Sequence, residues 1–163
     1  MSIRVGVGSG KAFDGREAGM AAAREALANA GIQKADLIIT FASSRYKQEE
    51  VLAGVTAVVG DSPVVGASTA CEITAKGASE RSVAVMALAG PGLTFRIGLG
   101  EGIAEDAREA GRQVARAALE GGQPELARAF MMLPDGLAGN GADIVRGVQD
   151  ELGATFPVVG GSA

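Results

Sequence analysis

The chain has no histidine and no tryptophan, and only one cysteine and one tyrosine among its 163 residues. Each shortage excludes something. Without imidazole there is no Ser-His-Asp or Cys-His catalytic set, and no zinc site that uses histidine. One cysteine can neither close an internal disulfide nor supply an all-thiolate metal site. No metal and no cofactor is therefore expected, and acid–base chemistry would fall to Asp, Glu, Lys, Tyr or Cys. The 15 Lys and Arg are scattered against 19 Asp and Glu, for a net charge of −4. With no basic block to neutralise phosphates, no nucleic-acid partner is expected. Apolar runs such as SVAVMALAG (82–90) fall well short of the ~20 residues that cross a bilayer, so no membrane insertion is expected. The opening MSIRVGVGSG has no apolar segment of signal-peptide type, and a cytoplasmic location is expected.

What the chain does have is an apolar fraction of 47% and 25 glycines. The apolar content supplies a globular core. The glycines imply tight turns and close backbone approaches. They also recur. SIRVGVGSGKAFDGREAG (2–19) aligns with TFRIGLGEGIAEDAREAG (94–111) at an offset of 92, and ten of eighteen positions are identical. Gly6, Gly8 and Gly10 then face Gly98, Gly100 and Gly102. LIITF (37–41) faces AFMML (129–133). After one inserted residue VLAGV (51–55) faces IVRGV (144–148), and after another PVVGAST (63–69) faces PVVGGSA (157–163). The chain reads as an internal duplication with units at 1–92 and 93–163.

Within the unit, IRVGVGSG (3–10) alternates as a half-buried strand does. Asp14 caps a following helix, with Glu17 three residues on, and Gly31 ends it. LIITF reads as a strand buried on both faces. VLAGVTAVVG (51–60) is an apolar helix, PVV (63–65) a third strand and SVAVMALAG a fourth. The fold class is α/β: duplicated β-α-β-α-β-β units in a mixed, mostly parallel sheet flanked by helices. GPG (90–92) is expected to turn the fourth strand into TFRIGLG (94–100) as an antiparallel pair. The second unit is expected to be incomplete, with no counterpart of the fourth strand.

Three stretches invite chemistry. GVGSGKA (6–12) has neither the spacing of a Walker loop nor that of a dinucleotide fingerprint. Its glycines are better explained by close approach of a helix, leaving Lys11 as a weak ligand candidate. The loop ASSRYKQ (42–48) follows a buried strand, where open α/β sheets bind ligands. It offers Ser43, Arg45, which suits a carboxylate, and Tyr46. PVVGASTACE (63–72) offers Gly66, Ser68 and Thr69 as ligand contacts, with Glu72 as a further member. Cys71 lacks an imidazole to make it a thiolate. The counterpart loop PDGLAGNG (134–141) offers Asp135 and Asn140. A cationic loop in one copy and an acidic one in the other would suit the two ends of a zwitterion.

GASTACEITAKG (66–77), preceded by PVV and followed by SVAVMAL, resembles the GCSTAGEI…G signature of the FIST N-terminal domain. LIITFASSRY and LPDGLAGNGADIVRGVQDELG…PVVGGSA resemble its flanking blocks, so the resemblance covers nearly the whole chain. It implies a prokaryotic intracellular sensory domain that binds small ligands such as amino acids. It also implies a signalling output protein, or a FIST C-terminal domain, as partner. Two positions depart from the family. Ala67 stands where a cysteine is common, and Cys71 where glycine is usual.

The expectation is a non-catalytic ligand-binding sensory domain for a small polar metabolite. Its contacts would be Ser43, Arg45, Tyr46, Gly66, Ser68, Thr69, Glu72, Asp135 and Asn140. Two alternatives come from other classes. One is an enzyme using Cys71 or Thr69 with Glu72 as base. The other is an assembly module that pairs through an open sheet edge, which would also allow a homo-oligomer.

Overall fold

A computed structural model describes residues 2–162. The chain divides into two compact units, Met1–Phe95 and Arg96–Ala163. The first runs β1 (Arg4–Gly10), α1 (Gly15–Ala30), β2 (Leu37–Ser43), α2 (Gln48–Val59), β3 (Val64–Thr69), β4 (Glu72–Thr74), β5 (Gly77–Ser79) and β6 (Val83–Ala89). The second runs α3 (Ala107–Leu119), a 3-10 turn (Pro124–Leu126), β7 (Phe130–Met132), α4 (Gly141–Leu152) and β8 (Val158–Gly160). No helix among the described residues is long and apolar enough to cross a membrane.

Local chemistry sets the boundaries. Asp14 caps α1 by accepting from the Glu17 N–H at 2.8 Å. Gly31 closes the helix in the left-handed region at φ 63°, where a side chain would be strained. Between these caps α1 is mostly alanine, and Ala18, Ala22, Ala23 and Ala26 are fully buried. Small residues there let the helix lie close on the sheet. A Cβ on Gly8 or Gly10 would strike the Ala22 or Ala18 carbonyl of α1.

The main sheet has the order β1-β6-β2-β3. It is mixed and flanked by helices, but one of its ladders is parallel (β2–β3) and two are antiparallel (β1–β6 and β2–β6), rather than mostly parallel. The reason is β6. It does not turn into residues 94–100; it returns into its own unit and fills the place between β1 and β2, pairing Arg4↔Ala89 through Gly10↔Val83. Among the described residues, 94–100 consequently pair with no strand and form none. β2 is not buried on both faces. Ile38 and Ala42 face the helices and are buried, whereas Ile39 and Phe41, on the other face, are half-buried. That second face continues through Val5 (48% exposed), Val7, Met86 and Leu88. The core joins Ile38, Val83, Val85 and Ala87 of the sheet to the alanines of α1 and to Val51, Val55 and Val59 of α2.

An edge strand carries unpaired N–H and C=O groups, and β1 has its outer edge covered by side chains of α1. Glu25 accepts from the Ser9 N–H at 2.8 Å, and Asn29 donates to the Val7 carbonyl at 2.8 Å. Lys76, in the turn of the β4–β5 hairpin, then pairs with Glu25 at 2.6 Å.

In the second unit, Asp106 caps α3 by accepting from the Glu109 N–H at 2.9 Å. β7 and β8 pair in parallel through Phe130↔Val158, Met131↔Val159 and Met132↔Gly160. A Cβ on Gly98 or Gly100 would strike the Val114 or Ala110 carbonyl of α3. By these contacts Gly98 and Gly100 take the places of Gly8 and Gly10, two residues away from the sequence alignment. The loop into α3 is longer and turns at Gly102, φ 71°.

Candidate functional site

β1, β2 and β3 run in one direction, so their carboxyl ends gather at one end of the first sheet. Because β6 runs the other way, its beginning lies there too. This brings together residues 11–13, 43–46, 69–72 and 81–82, which are far apart in sequence.

Tyr46 sits at the centre. It is buried, and its hydroxyl donates toward the carbonyls of Ala12 at 2.8 Å and Arg81 at 2.9 Å. It also accepts from the Ala12 N–H at 3.4 Å. One phenol thus ties the loop after β1 to the approach to β6. Arg81 adopts φ 52°, a left-handed conformation that costs a non-glycine residue roughly 1–2 kcal/mol. Its guanidinium lies 5.5 Å from the Phe13 ring centroid and 5.6 Å from that of Tyr46, within cation–π range. It donates to the Phe13 carbonyl at 2.9 Å. Phe13 itself is 86% exposed.

Glu72 is 3% exposed and is held by hydroxyl and amide donors. Thr69 Oγ1 donates to it at 2.5 Å, the Ser82 N–H at 3.2 Å, and Ser82 Oγ adds a further bond. A buried carboxylate needs such donors in place of water. Glu72 therefore fastens the start of the β4–β5 hairpin to the start of β6. Cys71 is exposed. Its Sγ lies 3.5 Å from the Ser79 carbonyl and 3.8 Å from that of Glu72, while the Glu72 carboxylate is turned to Thr69 and Ser82.

The expected residues fall into two kinds. Ser43 is 1% exposed; its N–H donates to the Ser82 carbonyl at 3.0 Å and its own carbonyl accepts from Gln48 at 3.0 Å. Ser43, Tyr46, Thr69 and Glu72 thus build the end of the sheet. Gly66, Ser68 and Arg45 are exposed. Gly66 is required by the β2–β3 ladder, since a Cβ there would strike the Thr40 carbonyl. Arg45 reaches Glu80 at 3.7 Å, both well exposed, a pair worth little in water. In the second unit Asp135 accepts from the Leu137 N–H at 2.8 Å, and Asn140 caps α4 by accepting from the Ala142 N–H at 3.0 Å. Among the described residues no group of His, Cys, Asp and Glu could hold a metal ion.

Sequence reasoning missed Phe13, Arg81 and Ser82. The signal was ERS (80–82), just before the fourth strand. It counts as part of this end of the sheet only once that strand is known to run antiparallel inside its own unit.

These features define a mixed α/β domain whose polar loops gather at one end of a sheet. Residues 36–163 match the FIST N domain, and the chain belongs to that family. FIST domains are sensory domains of signal transduction. A comparison with curated proteins finds no match. Among solved structures, the chain is similar to a point-mutant FtsZ from M. jannaschii at 20% identity and a TM-score of 0.34, covering 53% of this chain and 26% of that one. It is likewise similar to an empty FtsZ dimer from M. jannaschii at 18% identity and a TM-score of 0.34, covering 58% and 28%. The chain thus spans only about a quarter of those structures' length.

Proposed function

We propose that this sensory domain binds a small polar metabolite bearing a carboxylate, such as an amino acid, at the strand ends of the first unit. The observation that carries the reading is the uncommitted positive charge there. Arg81 is oriented by two aromatic rings yet makes no ion pair among the described residues, and neither does Lys11. A guanidinium held in a fixed orientation suits a carboxylate, because its forked donors match two oxygens. Arg45 stands ready to exchange its weak contact with Glu80 for the ligand, and Ser68 and Gly66 offer a hydroxyl and backbone groups on the adjoining strand. Ser43, Tyr46, Thr69 and Glu72 hold the frame. Asp135 and Asn140 are the candidates at the corresponding end of the second unit. Binding would act on a signalling output protein or a FIST C-terminal domain in the cytoplasm by favouring one conformation over another.

The test is a thermal-shift screen of amino acids and other small carboxylates on the intact protein, repeated with Arg81→Gly. Glycine accepts the left-handed backbone without strain and removes the side chain with its guanidinium. Loss of a charged hydrogen bond worth about 1.5 kcal/mol weakens binding roughly tenfold. A ligand that raises Tm equally in both proteins, or a library with no effect on well-folded protein, sinks the reading.

A further inference from the structure

The β4–β5 hairpin is fastened to the first unit without apolar packing. Of residues 71–81 only Glu72 is buried. Ile73 is 83% exposed, and none of these residues belongs to the core. Polar contacts hold the hairpin at its two ends. At the base, Glu72 accepts from Thr69 and from the N–H and hydroxyl of Ser82. Ser82 Oγ also lies 3.1 Å from the Ser79 carbonyl. At the tip, Lys76 Nζ reaches Glu25 at 2.6 Å and Ser9 Oγ at 3.3 Å. An element with few buried apolar contacts opens locally at far smaller cost than the whole fold.

Arg81 lies where the hairpin returns to β6. Its left-handed backbone, φ 52°, is unfavourable for a residue with a side chain. Two contacts keep it there: the Tyr46 hydroxyl on its carbonyl and its own guanidinium on the Phe13 carbonyl, each at 2.9 Å. Strain held by surrounding contacts is what a segment with a second conformation stores. When the hairpin leaves, Arg81 relaxes and its guanidinium loses the groups that orient it. A carboxylate therefore binds Arg81 better with the hairpin closed than with it open. That difference is what a ligand needs to shift an equilibrium.

We propose that the β4–β5 hairpin is a strap that leaves the first unit as one piece, base and tip together, and that a carboxylate on Arg81 holds it shut. The second clause rests on the carboxylate reading of this site; the first does not. The two states of the sensor are then strap closed and strap open. Opening takes Lys76 from Glu25, so occupancy at the strand ends is read at the covered edge of β1.

Native-state hydrogen exchange of the full chain, resolved by NMR, reads the strap at the Ser82 N–H, whose partner is Glu72. Val85, in the middle of β6, is the control. Lys76→Met removes the charge at the tip and should speed exchange at the base, at Ser82, about threefold with Val85 unchanged. Lys76→Arg should restore the rate. Phe13→Glu places a carboxylate beside Arg81 and stands in for the ligand. It should slow Ser82 about threefold and have no effect in an Arg81→Gly background. An unchanged Ser82 in Lys76→Met would mean that tip and base part separately. Equal acceleration at Val85 would mean that the hairpin opens only with the whole fold. Either result overturns the strap, and a strap that ignores Phe13→Glu overturns its hold by Arg81. A thermal-shift screen without a hit sinks the carboxylate reading alone, since none of these variants needs a free ligand.

Discussion

The two units use the same close contacts between backbones and fill the space around them differently. In both, an aspartate caps the first helix and accepts from a glutamate N–H three residues on. In both, a glycine of the second helix meets a carbonyl of the first. A Cβ on Gly54 would strike Arg16 and one on Gly147 would strike Arg108, at matching positions. The first unit surrounds this framework with a continuous core drawn from α1, α2, β2 and β6, with Val64 of β3 packed against it. The second has Ala110, Ala115, Ile144 and Val148 as its buried apolar residues, and places charge where the first places apolar groups. Arg112 stands at the position of Met20, Asp150 at that of Ala57 and Glu151 at that of Val58. Arg108 and Arg112 both grip Asp150, at 2.7 and 2.8 Å, and Arg116 grips Glu151 at 2.7 Å. A shared glycine framework thus fixes how helices approach, and the side chains around it decide how firmly they stay.

If that reading is right, the largest effects lie in what the units share. Gly54→Ala and Gly147→Ala should each destabilise by about 2–3 kcal/mol, since the added methyl meets a backbone carbonyl that no rotamer change relieves. The better helix propensity of alanine offsets only part of this. Urea unfolding measures both. Equal losses keep the equivalence; a tolerant Gly147 would mean that α3 and α4 are not held at the distance of α1 and α2.

Much of this framework was legible in the sequence. The caps, both helices of each unit and β1, β2, β3 and β6 were readable because turn residues and periodicity are local signals. The partner of β6 was not. Adjacency after GPG suggested residues 94–100, but pairing is decided by which edge is free, and the free edge lay between β1 and β2. The β4–β5 hairpin was also missed: its strands are three residues each, too short for alternation to show. At the candidate site, the residue types were legible and their employment was not. Nothing in ASSRYKQ distinguishes Tyr46, whose hydroxyl is taken up by two carbonyls, from Arg45, which is nearly free. The two-residue slip between Gly8 and Gly98 was hidden because glycine at every second position matches itself after such a shift.

The next largest difference lies at the outer edge of the first strand. Glu25 and Asn29 cover that edge in the first unit, whereas the aligned positions carry Ala117 and, past the end of α3, Gly121. Glu25→Ala with Asn29→Ala should cost only about 1 kcal/mol together, because both bonds are partly solvated. The larger consequence is association, since it bares the Val7 and Ser9 backbone. Light scattering should show concentration-dependent oligomers of the double variant. A variant that stays at the mass of the unaltered protein would mean that the β1 edge needs no cover. Glu25 is held below its ordinary pKa by the Lys76 hydrogen bond first and the Ser9 N–H second. The stability this cover contributes is therefore present in full above pH 4.5 and is lost as acid below that protonates the carboxylate.

Acid should separate the two helix pairs more cleanly. The Asp150 pKa is lowered from 3.8 to about 2, first by the Arg108 hydrogen bond, against desolvation as the next-largest effect, and then by the Arg112 hydrogen bond. A carboxylate with a depressed folded pKa contributes stability that is present in full above its unfolded value. That contribution declines below pH 3.8 and is gone once the pH has fallen through about 2. Hydrogen exchange at pH 3, corrected for intrinsic rates, should show α3 and α4 loosened relative to pH 7. α1 and α2, whose contact is apolar, should change less. Equal loosening of both pairs would remove the distinction between an apolar and an ionic clamp.

The smallest effect is the most discriminating. Arg112→Met with Asp150→Ala gives the second unit the residues that the first carries at Met20 and Ala57. Exposed ion pairs contribute about 0–1 kcal/mol, because the Coulomb gain is screened and two long side chains must be ordered. Replacing them should therefore leave stability at neutral pH close to that of the unaltered protein. What should change is the dependence on conditions. The unaltered protein loses stability between 0.05 and 1 M salt as the Debye length shrinks to roughly 3 Å, and the double variant should lose less. Urea unfolding at the two ionic strengths measures the difference. If the double variant keeps the full salt dependence, the arginines of α3 clamp nothing, and the described part of the second unit is held by its glycine contacts and by the buried Ala110, Ala115, Ile144 and Val148.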